Sequence, residues 1–178
     1  SSKKISKEMD DFLQRLFPIC RSITGNGNRE TLKILQEIVP LEIKEYPSGT
    51  PVYDWVIPKE WNIRDAFIKD ENGNRIVDFN QSNLHVVSYS LPIHKRISFE
   101  DLKNNIHFKK DLPEAIPYRT NYYSENWGFC VTKEQLDKLA DTVGALEVCI
   151  DSSFDENGSL TIGELVVPGR VSKEILIS

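Results

Sequence analysis

The sequence predicts a mixed α/β chain, on three observations. The first forty residues carry two apolar stripes at helical spacing, the hydrophobic period drops to two from Leu41, and a capped helix restarts at Thr132 ahead of a tail that is all strand. In the first helix Ile5, Met9, Phe12, Leu13, Leu16 and Phe17 recur at steps of three and four until Pro18 stops them. A tight loop, Arg21 to Gly27, leads to a second helix expected to be capped by Asn28. That helix bears Leu32, Leu35, Ile38 and Val39 on one side and ends at Pro40.

Leu41 to Lys44 reads as a short strand, Pro47 to Pro51 as a turn, and Val52 to Ile57 as a β-rich run. Asn62 to Lys69 and Arg75 to Phe79 flank Asp70-Glu71-Asn72-Gly73-Asn74, a hairpin signal because Asn-Gly tolerates positive φ. Leu84 to Ser88 reads as a strand, and Ser98 caps a short helix with Phe99 and Leu102 inward. Residues 107–130 have two prolines, six aromatics and little period. Thr132-Lys133-Glu134-Gln135 is a capping box, with Val131 and Leu136 as a hydrophobic staple. Ala145 to Asp151 and Ser159 to Val167 form a second hairpin through Asn157-Gly158, and Glu174 to Ser178 begins a further apolar strand. A strand that apolar needs cover on both faces, which suggests a piece of a longer protein.

Composition narrows the function. The 178 residues include 22 basic and 27 acidic side chains, a net charge of −5 with no basic stripe, which argues against nucleic-acid binding. No apolar run approaches the ~18 residues of a membrane span, and no signal peptide is visible. Cys20, Cys130 and Cys149 are odd in number and far apart, so a reducing, cytoplasmic setting is expected. His85, His94 and His107 make no metal spacing, and His85, in strand period with Val87 and Tyr89, reads as a packed histidine. Phosphate-loop and G-x-S-x-G signatures are absent. Cys130, just before the capped helix, is either a buried hydrophobe or a thiol nucleophile. Two aromatic clusters remain, Tyr53 to Trp61 and Pro117 to Cys130, and Arg119 among rings suits either carboxylate or sugar recognition or a pegged core.

Five segments together resemble a bacterial aminopeptidase-like family of the co-catalytic zinc aminopeptidase superfamily. They are Phe17 to Gly27, Pro47 to Trp55, Pro58 to Ile63, Pro117 to Cys130, and Gly163-Glu164-Leu165 with Pro168-Gly169. The resemblance implies part of a zinc-exopeptidase-like α/β domain, built from N-terminal helices and C-terminal strands, carrying an inserted small β-rich domain. On that template 1–46 and 131–178 belong to the peptidase domain and 47–130 to the insertion, two units in contact. It further implies zinc in the intact protein, with the ligands and the catalytic Glu beyond Ser178, so this chain alone is expected to hold no catalytic residue and no metal. Two zinc ions sharing a water would lower its pKa and polarise the scissile carbonyl. The implied substrate is a small peptide or aminoacyl-like molecule with a free amine. From the density of motifs, Arg119, Tyr122, Tyr123 and Trp127 are the candidate substrate contacts. The competing reading is a non-catalytic β-rich module that binds a ligand or a protein.

Overall fold

The computed structural model describes residues 2–177, a mixed α/β arrangement with small sheets. Helix α1 spans Ser2–Leu16 and α2 spans Asn26–Leu35. Helix α2 starts earlier than its expected cap at Asn28. Gly25 turns the chain at φ 91°, and Asn62 Oδ1 accepts the Asn26 N–H at 2.7 Å, so a neighbouring strand supplies the capping acceptor. Asn28 instead donates its side-chain amide to the Thr161 carbonyl, 2.7 Å. A Cβ on residue 25 would collide with the Trp61 carbonyl oxygen, so this close approach of backbones requires glycine.

Strands β1 (Glu42–Pro47), β2 (Pro51–Val52), β3 (Trp55–Val56), β4 (Glu60–Lys69) and β5 (Arg75–Asp78) follow, the last two joined by the expected turn with Gly73 at φ 83°. Strand β6 (Ile93–Ile97) lacked a sequence signal because its three central residues are exposed and polar, as befits a sheet edge. Helix α3 (Phe99–Leu102) is capped by Ser98 as expected. The pair β7 (Ile106–His107) and β8 (Phe129–Cys130) is parallel, and α4 spans Lys133–Asp141. Strands β9 (Leu146–Asp155) and β10 (Ser159–Glu164) complete the order.

The main sheet has the order β5-β4-β9-β6, with every pairing antiparallel. This sheet crosses the expected boundary at residue 131. Strand β9, assigned to the outer unit, sits between β4 and β6 of the supposed insertion, so 47–130 does not close a sheet without it. The core lies on one face of that sheet, where Ala66, Ile68, Val148 and Ile150 meet Leu102, Phe129, Val131 and Leu139. Burying such side chains stabilises by roughly 1.5–3 kcal/mol each. On the other face Phe67 is covered by Lys69 and Arg75, 3.9 and 4.4 Å from its centroid.

The predicted strand at 84–88 is instead a 3₁₀ turn over Asn83–His85, then a short extended run ending at Tyr89, φ 64°. A large residue in that left-handed region costs roughly 1–3 kcal/mol and breaks strand geometry. The capping box on α4 is present, and its Gln135 does more. Its amide donates to the Ile76 carbonyl and to His85 Nε2, both at 3.3 Å, while His85 Nδ1–H donates to the Cys130 carbonyl, 2.7 Å. His85 is therefore a packed, neutral histidine, its pKa lowered first of all by burial. The expected strand from Glu174 does not form over 174–177, where Ile175, Leu176 and Ile177 are exposed without a pairing partner; Ser178 lies outside the described residues.

Strands β1 and β10 form a separate two-stranded ribbon, Glu42 opposite Glu164 through Pro47 opposite Ser159. Arg29 of α2 fastens this ribbon to the main sheet. Its guanidinium donates to Glu60 of β4 at 2.6 and 2.7 Å, to Glu45 of β1 at 2.9 and 3.2 Å, and to Ser159 Oγ at 3.1 Å. Paired with Arg29, Glu60 and Glu45 are each held down at about 2.

Candidate functional site

Two segments a hundred residues apart meet beside the ribbon. The α1–α2 loop brings Arg21 and Ser22, and an extended segment bridged in parallel to Ser88 through Thr120 brings Tyr118 and Tyr122. Ser88 N–H donates to the Arg119 carbonyl at 2.9 Å and Asn121 N–H to the Ser88 carbonyl at 2.8 Å, which fixes that segment. The Tyr118 and Tyr122 hydroxyls are 3.0 Å apart, and those of Ser22 and Ser88 are 3.1 Å apart. Burial alone would raise the Tyr122 phenol, but the bond with Tyr118 and the nearby hydroxyls of Ser22, Thr120 and Ser88 displace it downward. Tyr118 is pushed up to about 12, first by burial and then by Tyr122. In the bond between the two phenols either hydroxyl can be the donor.

Behind this pair stands a buried aromatic block. The Tyr89 ring meets Tyr122 edge-on at 4.9 Å and stacks on Trp61 at 5.7 Å, and its hydroxyl lies 2.5 Å from Thr24 Oγ1. Thr24 Oγ1 also accepts the Trp61 N–H, 3.0 Å. The strained Tyr89 backbone is thus fixed from three sides, and it holds Tyr122 in place. In front lies an open cavity of ≈ 440 Å³, walled by Arg21, Ser22, Asn28, Tyr118 and Tyr122 with Leu160 and Ile162 of β10 as an apolar floor. A second cavity, ≈ 700 Å³, lies on the other side of Ser22 against Cys20, Trp61 and Phe79.

The four candidate residues separate. Tyr122 lines the cleft, and Tyr123, 86% exposed, touches its ring edge at 6.5 Å. Arg119 is exposed, and among the described residues no carboxylate pairs with it. Its charge reaches His107, adding to the lowering that burial causes, and Cys130, where it only partly opposes the rise from burial, so it serves a different side of the segment from Tyr118. Trp127 packs against the core, with Lys95 Nζ 5.0 Å above its ring, and takes no part in the cleft. Tyr118 belongs to the aromatic cluster already singled out, whereas Ser22 and Ser88 are the residues sequence reasoning passed over. Ser22 and Tyr118 lie in the motif segments Phe17 to Gly27 and Pro117 to Cys130, yet nothing in the spacing says that these segments touch. Cys130 is fully buried and its thiol is pushed up to about 11, mainly by burial, which removes it as a nucleophile. Among the described residues no three His, Cys, Asp or Glu side chains gather to hold a metal, and none of the helices is long and apolar enough to cross a membrane.

The sheet β5-β4-β9-β6 coincides with a known sequence family. Residues 60–153, just over half of the chain, match the domain of unknown function DUF2172, and the chain belongs to that family. Its relatives carry more specific names. A Clostridium acetobutylicum protein, provisionally named as a polysaccharide biosynthesis protein with an aminopeptidase-like domain, is 47% identical over the whole of this chain. A crystal structure from the same organism, of a protein provisionally named a peptidase, is 48% identical with a TM-score of 0.85, over 91% of this chain. This chain spans 40% of the first protein and 38% of the second.

Proposed function

We propose that this chain is the N-terminal portion of an aminopeptidase-like hydrolase that cleaves an amide bond beside a free amine in a peptide or aminoacyl-like substrate. The observation that carries the reading is the likeness, over 91% of the chain, to a protein named as a peptidase. Helix α1 supports it from the physics. Ile5, Met9, Leu13 and Phe17 are 58–70% exposed along one stripe, and a fifteen-residue helix without tertiary cover is marginal in water. At its C-terminal end Arg15 forks onto Glu37 at 2.7 and 2.8 Å and Asn83 donates to the Phe17 carbonyl. A larger body packed on that stripe would complete the exopeptidase-like domain.

In this reading the zinc belongs to the remainder of the longer protein, because the residues described here offer no cradle for it, and no step at a metal falls to them. Their task is to grip substrate. Tyr118 and Tyr122 form the wall, Tyr123 stands at the rim, and Arg119 serves the adjoining face. A cytoplasmic location is part of the same proposal and is supported by three free cysteines. A binding module without catalysis is the second reading, favoured by a formed cleft beside which the described residues gather no cluster of metal donors. Purified full-length protein separates the two. Release of 4-nitroaniline from alanyl- or leucyl-4-nitroanilide, abolished by a chelator and restored by zinc, is expected. No turnover with any aminoacyl anilide, in protein that retains bound zinc, would favour the second reading.

A further inference from the structure

We propose that the cleft between the α1–α2 loop, the Tyr118–Tyr122 segment and β10 binds a pyranose ring of a saccharide. The walls and the floor ask for different things, and a sugar supplies both. Leu160 and Ile162 with the Tyr118 ring, 61% exposed, offer an apolar surface for the C–H face of a ring. Around it stand hydroxyls of Ser22, Tyr118 and Tyr122, groups that donate or accept according to their partner and so match sugar hydroxyls of either sense. Charge favours the same class. The cleft lining has no carboxylate to hold a free ammonium, and its one cation, Arg21, spends an N–H on the Leu16 carbonyl at 2.6 Å and keeps others for a ring oxygen or an acidic substituent.

A peptide laid along β10 as an extra strand is disfavoured. One edge of β10 is paired with β1, Thr24 bridges Leu160 on the other, and Asn28 already occupies the Thr161 carbonyl. The cavity of ≈ 440 Å³ lies within the usual range for small-ligand sites. The inference deepens the hydrolase reading, since it names the part of the substrate this domain would hold, and it can be read without turnover.

The test is saturation-transfer NMR on the full-length protein, with N-acetylglucosamine, glucuronic acid and the dipeptide Ala-Ala as separate probes at millimolar concentration. At least one sugar is expected to receive saturation on its ring protons. Tyr118→Ala should raise its Kd about tenfold or more, and Tyr122→Phe should raise it less, with melting temperatures near that of the parent. Absence of transfer to both sugars, or transfer unchanged in both variants, overturns the assignment. So does Ala-Ala binding with the same sensitivity to Tyr118→Ala while the sugars do not bind. Anilide hydrolysis measured on the same preparations keeps the two proposals apart: sugar binding without hydrolysis sinks the hydrolase reading and leaves the cleft assignment standing, and hydrolysis without sugar binding does the reverse.

Discussion

Replacing Arg29 with methionine keeps most of the side-chain length and removes the charge that holds two carboxylates against α2. Glu60 is the partner that matters, because its side chain is 9% exposed and cannot turn to water when the guanidinium is gone. Its carboxyl sits at about 2 in the fold against an ordinary 4.5. At about 1.4 kcal/mol for each tenfold change in ionisation, that difference is worth about 3 kcal/mol at pH 7. Glu45, 42% exposed, adds little after screening by solvent. The total agrees with the roughly 3–5 kcal/mol lost when one partner of a buried ion pair is removed. The pH dependence has a definite sign. Glu60 ionises more readily folded than unfolded, so its contribution is complete above about pH 4.5 and disappears as pH falls towards 2. In Arg29→Met the two carboxylates face each other with no cation, so both protonate more readily and the variant recovers relative to the parent on acidification. Urea titrations at pH 7 and pH 3 should therefore show a gap of about 3 kcal/mol that narrows in acid. A gap under about 1 kcal/mol at pH 7, or one that does not change with pH, would refute the clamp. Arg29→Met with Glu60→Met should regain part of the loss, since an apolar pair leaves no stranded charge.

The remaining expectations concern single contacts. Gly25→Ala should cost more than about 2 kcal/mol by thermal melting, because φ 91° disfavours a side chain and the new Cβ meets the Trp61 carbonyl; a neutral result would mean that the loop can move away from β4. Tyr89→Phe should cost about 1 kcal/mol by losing the Thr24 bond, and should broaden the Tyr122 ring resonances if Tyr89 holds that ring. Cys130 should resist iodoacetamide at pH 7 in the native state while labelling fully in urea, and Cys130→Ala should keep any hydrolytic activity of the full-length protein. Leu13→Asp should leave the melting temperature of this chain within about 2 °C but destabilise the full-length protein markedly, if a further body covers α1.

The elements that could be read from the sequence are those whose signals are local. The box from Thr132 to Gln135, the Ser98 cap and the Asn72-Gly73 turn each encode their geometry within four or five residues, and each is present. Strand β6 was missed because an edge strand with exposed His94, Lys95 and Arg96 carries no alternation, and its pairing is decided by Leu146 to Ile150, fifty residues later. The start of α2 shifted because Asn62, on another strand, took over the capping role. Tyr122 and Tyr123 were singled out from motif density. That Tyr122 meets Ser22, and that Trp127 turns into the core, depends on tertiary packing that no local pattern expresses. The division at residue 131 rested on the family resemblance and on the capped helix restarting at Thr132, and a cap marks a new element without saying which sheet the strands after it will join.

The place of β9 has a consequence for how the chain comes off the ribosome. The β4–β5 hairpin can close as soon as it emerges, since its partners are a few residues apart. Strand β6, by contrast, has no neighbour of its own to pair with, and it waits with an open edge until β9 arrives and zips against β4 and β6 at once. During synthesis that interval is about fifty residues long, several seconds at roughly 5–20 residues per second, with Ile93 and Ile97 and the unpaired edges of β4 and β6 accessible to chaperones or to a neighbouring nascent chain. Slowing translation just before Leu146 lengthens that window, and a circular permutant that begins at β9 abolishes it.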